Sequence, residues 1–258
     1  MKFLNKGNGF FIMRDIVRLF FVINFFVFMI ILGLNTEIES EYVVLLSIVI
    51  AGPFFCGWAC PFGGLSYFMA KLGAYLFPSK QFLFPRTVDF KLRYLRYVFF
   101  NFFLYLFIVL EVDYFGEHFE MYMSTLPSKI FFIAKYIAVI LVSMFIPFFF
   151  CKYMCWQKVA YNIFCRVVGT TKIKRDVASC VNCKKCEKAC LMNLPISSSK
   201  TLSGVDCFSC FSCMKPNVCP KNHKSLTFCW LGNVVNIRYF SVAALLVYLI
   251  TTLIVLRY

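Results

Sequence analysis

The chain has 258 residues, 61% apolar and 15% charged, with 27 Lys and Arg against 12 Asp and Glu. A soluble globular domain carries about 25% charged residues, so this composition argues against a single soluble domain, and 34 Phe with 14 Tyr argue against disorder. The net charge of +15 raises nucleic acid as a partner, but the placement of the charges points away from it.

The apolar runs, in chain order, are candidate membrane spans. Leu19 to Thr36 follows Arg14 and Arg18, and no small-residue cleavage site comes after it, so it reads as an uncleaved anchor. Tyr42 to Ala70 is interrupted by Gly52, Pro53 and Pro61. Tyr97 to Leu110 is short, with Arg93 and Arg96 placed to snorkel at its end. Tyr136 to Cys151 extends back across Lys135 to Ile130, and Tyr239 to Leu256 comes last. A helix needs about 20 apolar residues to cross a bilayer, so about five spans are expected.

The segments between these runs alternate in charge. Lys2, Lys6, Arg14 and Arg18 precede the first run, and Glu37, Glu39 and Glu41 follow it. Lys71 to Arg96 holds six basic residues and one acid, Asp89, whereas Glu111, Asp113, Glu117 and Glu120 mark the next segment. Lys152 to Arg238 holds fourteen basic residues and three acids. Basic segments stay cytoplasmic. The expected fold is a polytopic α-helical membrane protein in the inner membrane of a bacterium. A small ferredoxin-like insert lies in the cytoplasm with the N-terminus, and the C-terminus lies outside. Residues 1–169 would form four spans, 170–229 the two-cluster domain and 230–258 the last span.

The insert carries the chemistry. Cys180, Cys183, Cys186 and Cys190 are spaced C-x2-C-x2-C-x3-C; Cys207, Cys210, Cys213 and Cys219 are spaced C-x2-C-x2-C-x5-C and precede Pro220. Three thiolates two residues apart wrap one side of a 4Fe-4S cubane, and in two-cluster ferredoxins the fourth Cys of each run serves the other cluster. Cluster one is therefore expected on Cys180, Cys183, Cys186 and Cys219, and cluster two on Cys207, Cys210, Cys213 and Cys190. Zinc sites favour separated C-x2-C pairs, and a cytoplasmic segment disfavours disulfides. Cys219, after its longer loop, fits the pattern least closely.

Two further pairs, Cys56 with Cys60 and Cys151 with Cys155, stand at i, i+4 spacing, one face of a helix. They read as a third cluster or metal site, as a redox dithiol, or as small apolar packing residues. Cys-Gly-Trp-Ala-Cys-Pro, a second C-x3-C and two ferredoxin runs, in that order, resemble NapH-type membrane ferredoxins. The resemblance covers roughly residues 10–225. Trp156 stands where that family usually has Pro, and the last span is additional. These are quinol dehydrogenase components of periplasmic nitrate reductase systems, with relatives in nitrous oxide and methylamine operons. The resemblance implies electron transfer between quinol and a partner redox protein, with Cys56, Cys60, Cys151 and Cys155 as redox cysteines.

Cys165 and Cys229 read as structural. His118 and His223 are the only histidines, so a bis-His haem in the spans is not expected, and no C-x2-C-H motif occurs. His118 with the acids around it could accept protons released by quinol, or could belong to a solvated loop. Trp58, Trp156 and Trp230 read as interfacial anchors, with the first two also placed to shield a cofactor. The basic stretch Arg166, Lys172, Lys174 and Arg175 suits lipid headgroups. No dinucleotide fingerprint is present, so no NAD is expected. The expected function is membrane electron transfer; copper-centre assembly or cupric reduction, and redox sensing, are the alternatives.

Overall fold

A computed structural model describes residues 9–27, 51–77, 83–109, 126–219 and 225–255. In chain order the elements are α1 (Gly9–Val27), α2 (Phe54–Trp58), α3 (Pro61–Leu76), α4 (Arg86–Leu92), α5 (Leu95–Val109), α6 (Leu126–Phe145), α7 (Phe149–Tyr153), α8 (Gln157–Val168), β1 (Thr171–Arg175), α9 (Lys185–Lys188), β2 (Thr201–Ser203), β3 (Leu226–Trp230), β4 (Asn233–Val234) and α10 (Ile237–Val255). The chain divides into two compact units, Met1–Gly64 with Tyr161–Tyr258, and Leu65–Ala160.

The first unit is built on an antiparallel sheet of order β2-β1-β3-β4. Alternation fixes β1: Thr171 and Ile173 are buried while Lys174 is exposed. β1 pairs with β3 from Thr171↔Trp230 to Arg175↔Leu226, which ties together the two ends of the cysteine-rich segment. Leu231 and Gly232 take φ of 47° and 90° between β3 and β4. Positive φ at both central residues matches the twist of a tight hairpin. One side of the sheet packs on aromatic rings: Phe211 meets Phe228 edge to face at 5.0 Å, and Phe228 lies 4.7 Å from Phe240 of α10. Phe240 in turn meets Phe54 of α2 at 5.8 Å. Each such ring removed from water contributes about 1.5–3 kcal/mol.

α1 inverts the usual amphipathic arrangement. Phe10, Arg14, Arg18 and Val22, spaced by four, are all buried, while Ile12, Ile16, Phe20 and Ile23 are exposed. Both arginines of this helix lie on its buried face.

In the second unit, Asp89 of α4 is 1% exposed and accepts hydrogen bonds from Arg93, one turn on, and from the Tyr153 hydroxyl of α7. Burial first, then the Asp89 hydrogen bond and charge, push the Tyr153 phenol far above its ordinary value. Gly73 of α3 stands so close to the Met144 carbonyl of α6 that a Cβ would overlap it.

Among the described residues no helix is long and apolar enough to cross a membrane. This corrects the expectation of a five-span membrane protein in a bacterial inner membrane, and with it the assignment of the N-terminus, clusters and C-terminus to sides of that membrane. The first expected span began at Leu19, but α1 starts at Gly9 and takes in Arg14, Asp15 and Arg18. The second is broken at Gly52, where φ is 63°, into the five residues of α2 and then α3. α5 has 15 residues, about 22 Å of helix. The run ending at Cys151 stops as a helix at Phe145 and restarts as α7 after Phe148, whose φ is 58°. Residues 28–50 and 110–125, with the acidic segments and His118, lie outside the described residues, as does His223. Trp58 is not an interfacial anchor: it is 1% exposed and stacks on Phe54 at 4.9 Å.

Candidate iron-sulfur site

The two cysteine runs adopt the same unusual backbone. In the first, Asn182 and Lys184 have φ of 50° and 57°; in the second, Ser209 and Phe211 have φ of 47° and 54°. These are matching positions, two residues after the first Cys and one after the second. A left-handed conformation costs a non-glycine residue roughly 1–2 kcal/mol, so four at equivalent places mark one geometry used twice. Turns of this kind aim backbone N–H groups at a common point, an arrangement found at many iron-sulfur sites. The Ser209 N–H points at Cys207 Sγ at 3.4 Å, and the Asn182 N–H binds Cys180 in the same way.

The thiols of the second loop gather around Cys213. Burial pushes the Cys213 thiol well above its ordinary value, and the charges of Cys190, Cys210, Cys207 and Cys186 push it further. Cys190, the last Cys of the first run, and Cys186 before it both act on Cys213, and α9 of the first run packs against the turn Ser212–Met214 of the second. Cys186 is also raised, by burial first, and feels Cys180. Crowded buried thiolates are unfavourable unless positive charge replaces their protons, which a metal centre does outright. Among the described residues no three His, Cys, Asp or Glu side chains meet as ligands of a single ion would. A cubane binds each cysteine on a different iron, so its sulfurs stand further apart than the ligands of one ion. The donor set and backbone fit 4Fe-4S centres, with Cys180, Cys183, Cys186 and Cys219 proposed for one and Cys207, Cys210, Cys213 and Cys190 for the other.

The second loop is held from beneath by α1 and α2. Arg14, fully buried, donates Nη1 to the Cys210 carbonyl at 2.5 Å and to Ser212 Oγ at 3.2 Å. Its other nitrogens pair with Asp15 at 2.9 and 3.1 Å. Arg18 donates Nε to the Gly57 carbonyl at 2.6 Å. Trp58 donates its indole N–H to the Ser209 carbonyl at 3.1 Å. Gly57 sits against the loop so closely that a Cβ would overlap the Phe208 carbonyl oxygen. Burial alone would raise the Cys210 thiol, but Arg14 and Arg18, with hydrogen bonds from Ser212, bring it below its ordinary value. From the other side, Asn162 of α8 donates to Asp206 Oδ1 and accepts the Asp206 N–H, both at 3.0 Å. Asp206, at φ 61°, immediately precedes Cys207.

Arg14, Arg18, Asn162 and Asp206 are site residues that the sequence reading missed or assigned to topology. The i, i+4 spacing of the two arginines, with Asp15 between them, was the available signal. Asn162 and Asp206 left none, because their pairing joins distant parts of the chain.

The two C-x3-C pairs also share a local structure. α2 and α7 are both five residues long, and Cys60 N–H and Cys155 N–H each bond to a Phe carbonyl five residues back, Phe55 and Phe150, at 2.9 Å. Cys56 and Cys60 belong to the first unit, Cys151 and Cys155 to the second. In the first, Gly63 N–H points at Cys60 Sγ at 3.5 Å. In the second, burial raises the Cys155 thiol, against lowering by the Lys158 N–H and the charges of Lys158 and Arg96. Arg96, Lys152 and Lys158 are all buried. Cys151, Cys165 and Cys229 are buried, whereas Cys56, Cys60 and Cys155 are half-buried.

Residues 42–81 and 130–170 match the 4Fe-4S binding domain family. The matched segments hold the two C-x3-C pairs rather than the two ferredoxin runs. The chain is similar to the putative electron transport protein YccM of Escherichia coli (strain K12), 28% identical over 208 residues, 76% of this chain and 56% of that protein. It thus spans little more than half of the Escherichia coli protein. It is 32% identical over 192 residues to the uncharacterized protein MJ0749 of Methanocaldococcus jannaschii, covering 74% of this chain and 70% of that protein. It is 31% identical over 193 residues to MJ0750 of the same organism, covering 74% and 79%. No solved structure matches the chain. The chain belongs to the family that includes MJ0749 and MJ0750, and it is an iron-sulfur protein of ferredoxin-like cysteine pattern.

Proposed function

We propose that the protein passes electrons, one at a time, between quinol and a partner redox protein. Bound 4Fe-4S centres supply the one-electron chemistry. The observation that carries this reading is the repeated left-handed backbone of the two loops, at matching positions in each run. Around it the chain performs three tasks. Arg14 and Arg18 supply fixed positive charge beside Cys210, which favours the more negative, reduced state. The aromatic layer of Phe54, Trp58, Phe211 and Phe228 keeps water from the second loop. Trp58 and Gly57 connect the helix of Cys56 directly to the loop of Cys210, which suits that cysteine pair to a redox role near the second centre. The name of YccM supports electron transport. Quinol as donor, and a nitrate-reductase-type partner, follow from the resemblance to NapH-type proteins.

The test is anaerobic addition of a quinol analogue to oxidised, iron-loaded protein, followed by low-temperature EPR. Reduced 4Fe-4S signals are expected within the mixing time of a manual experiment. Signals with dithionite but never with quinol would remove quinol as donor. No signal with either would remove the electron-transfer reading.

A further inference from the structure

The two loops share a backbone but not an environment. In the second, Phe208, Ser209, Phe211, Ser212 and Cys213 are buried. In the first, the matching stretch from Val181 to Lys185 is exposed at every residue, Cys183 included. Lys188 is exposed as well, and Val177 and Val181 are 49% and 54% exposed. Glu187, the one acid of α9, is turned inward, its Oε1 accepting from Ser197 N–H at 2.8 Å and Ser197 Oγ at 2.7 Å. The surface over this loop thus combines apolar side chains, three ammonium groups and an exposed cysteine of the cluster run.

We propose that the face of Val177, Val181, Cys183, Lys184, Lys185 and Lys188 docks an acidic electron-carrier protein. This deepens the electron-transfer reading above and rests on it. Electron exchange weakens steeply with distance, so a centre that serves a separate protein needs a ligand at the surface, and Cys183 provides one. Cys207, Cys210 and Cys213 of the second loop are half-buried or buried, so none is exposed as Cys183 is. Exposed lysines steer a carboxylate-bearing partner and orient it without holding it tightly. The two valines supply the small apolar centre that such a contact keeps dry. The exchange moves one electron from a reduced 4Fe-4S centre to the oxidised carrier, and any proton the carrier then takes up comes from solvent.

The experiment uses the full iron-loaded chain with two probes, an acidic flavodoxin and a basic cytochrome c. Binding is read by titration calorimetry and electron exchange by stopped flow after dithionite reduction. At low salt the acidic probe should bind, and should exchange at least roughly tenfold faster than the basic one, an advantage that shrinks as salt rises. Lys185→Glu with Lys188→Glu should abolish it, and Lys185→Gln with Lys188→Gln should fall between, with the EPR signals of both centres intact in each variant. Equal behaviour of the two probes, no effect of charge reversal, or capture of the face by phosphatidylglycerol vesicles without carrier preference would each overturn the docking proposal alone. Loss of all EPR signals in the unmodified protein would overturn the electron-transfer reading, and docking with it.

Discussion

Arg14 has no exposed surface and makes hydrogen bonds to both the backbone and a side chain of the second loop. A charge so placed must be matched by negative charge to be tolerated. Asp15 supplies part of the match, and an anionic centre on Cys210 and its neighbours would supply more. Arg14→Gln should therefore lower the midpoint potential of the second-loop centre. One unit charge roughly 10 Å from a centre contributes about 1–2 kcal/mol at an effective dielectric of about 20, or several tens of millivolts for one electron. An EPR-monitored redox titration checks this, with the first-loop centre as internal control; an equal shift of both centres would contradict the placement. Cys190 makes a second residue-scale case. It ends the first run in sequence, yet it acts on the Cys213 thiol of the second. Cys190→Ser should abolish or distort the EPR signal of the second-loop centre and leave the first-loop signal in place.

At the scale of elements, α2 and α8 act as the two walls of the second loop. Gly57 is required because α2 meets the Phe208 carbonyl backbone to backbone, and a carbonyl cannot swing aside as a flexible side chain does. Gly57→Ala should destabilise the first unit by about 1–3 kcal/mol and cost the second-loop centre first, seen as loss of its EPR signal and a lower melting temperature. Asn162→Ala removes both hydrogen bonds to Asp206 and leaves that buried carboxylate short of a donor. The expected cost is about 2 kcal/mol, read by thermal unfolding, with Asn162→Gln recovering little because the longer side chain misplaces both atoms. The cysteine spacing was legible in the sequence because ligand loops are local: C-x2-C-x2-C needs no distant partner to be recognised. The walls were not. Gly57 reads as an ordinary glycine until Phe208 is beside it, and the β1–β3 pairing that closes the segment joins residues more than fifty positions apart. Hydropathy also misdirected the reading of α1. Arg14 and Arg18 resemble a flanking basic signal, but both are buried inside the first unit, bound to the second loop and to α2.

Over the whole molecule, one local design recurs twice along the chain: Phe-Phe-Cys on a short helix, a second Cys four residues on, and a longer helix after it. The repeat is visible as sequence, at Cys56 and at Cys151, and the 4Fe-4S binding domain family matches the chain once around each. Its chemistry is less direct to read, because one sulfur on a five-residue helix and one just past its end serve a dithiol as well as a cluster. We propose the dithiol, on the backbone of the two pairs. Cys60 and Cys155 each terminate a helix through the same backbone bond to a Phe carbonyl, and neither pair shows the repeated left-handed turns that shape the two ferredoxin loops. Iron and acid-labile sulfide should therefore each measure about eight per chain, the content of two cubanes. Cys56→Ser with Cys60→Ser should leave that content unchanged while slowing reduction of the centres by quinol. A content near twelve in the unmodified protein, falling in the double variant, would instead make the C-x3-C pairs ligands of a further cluster.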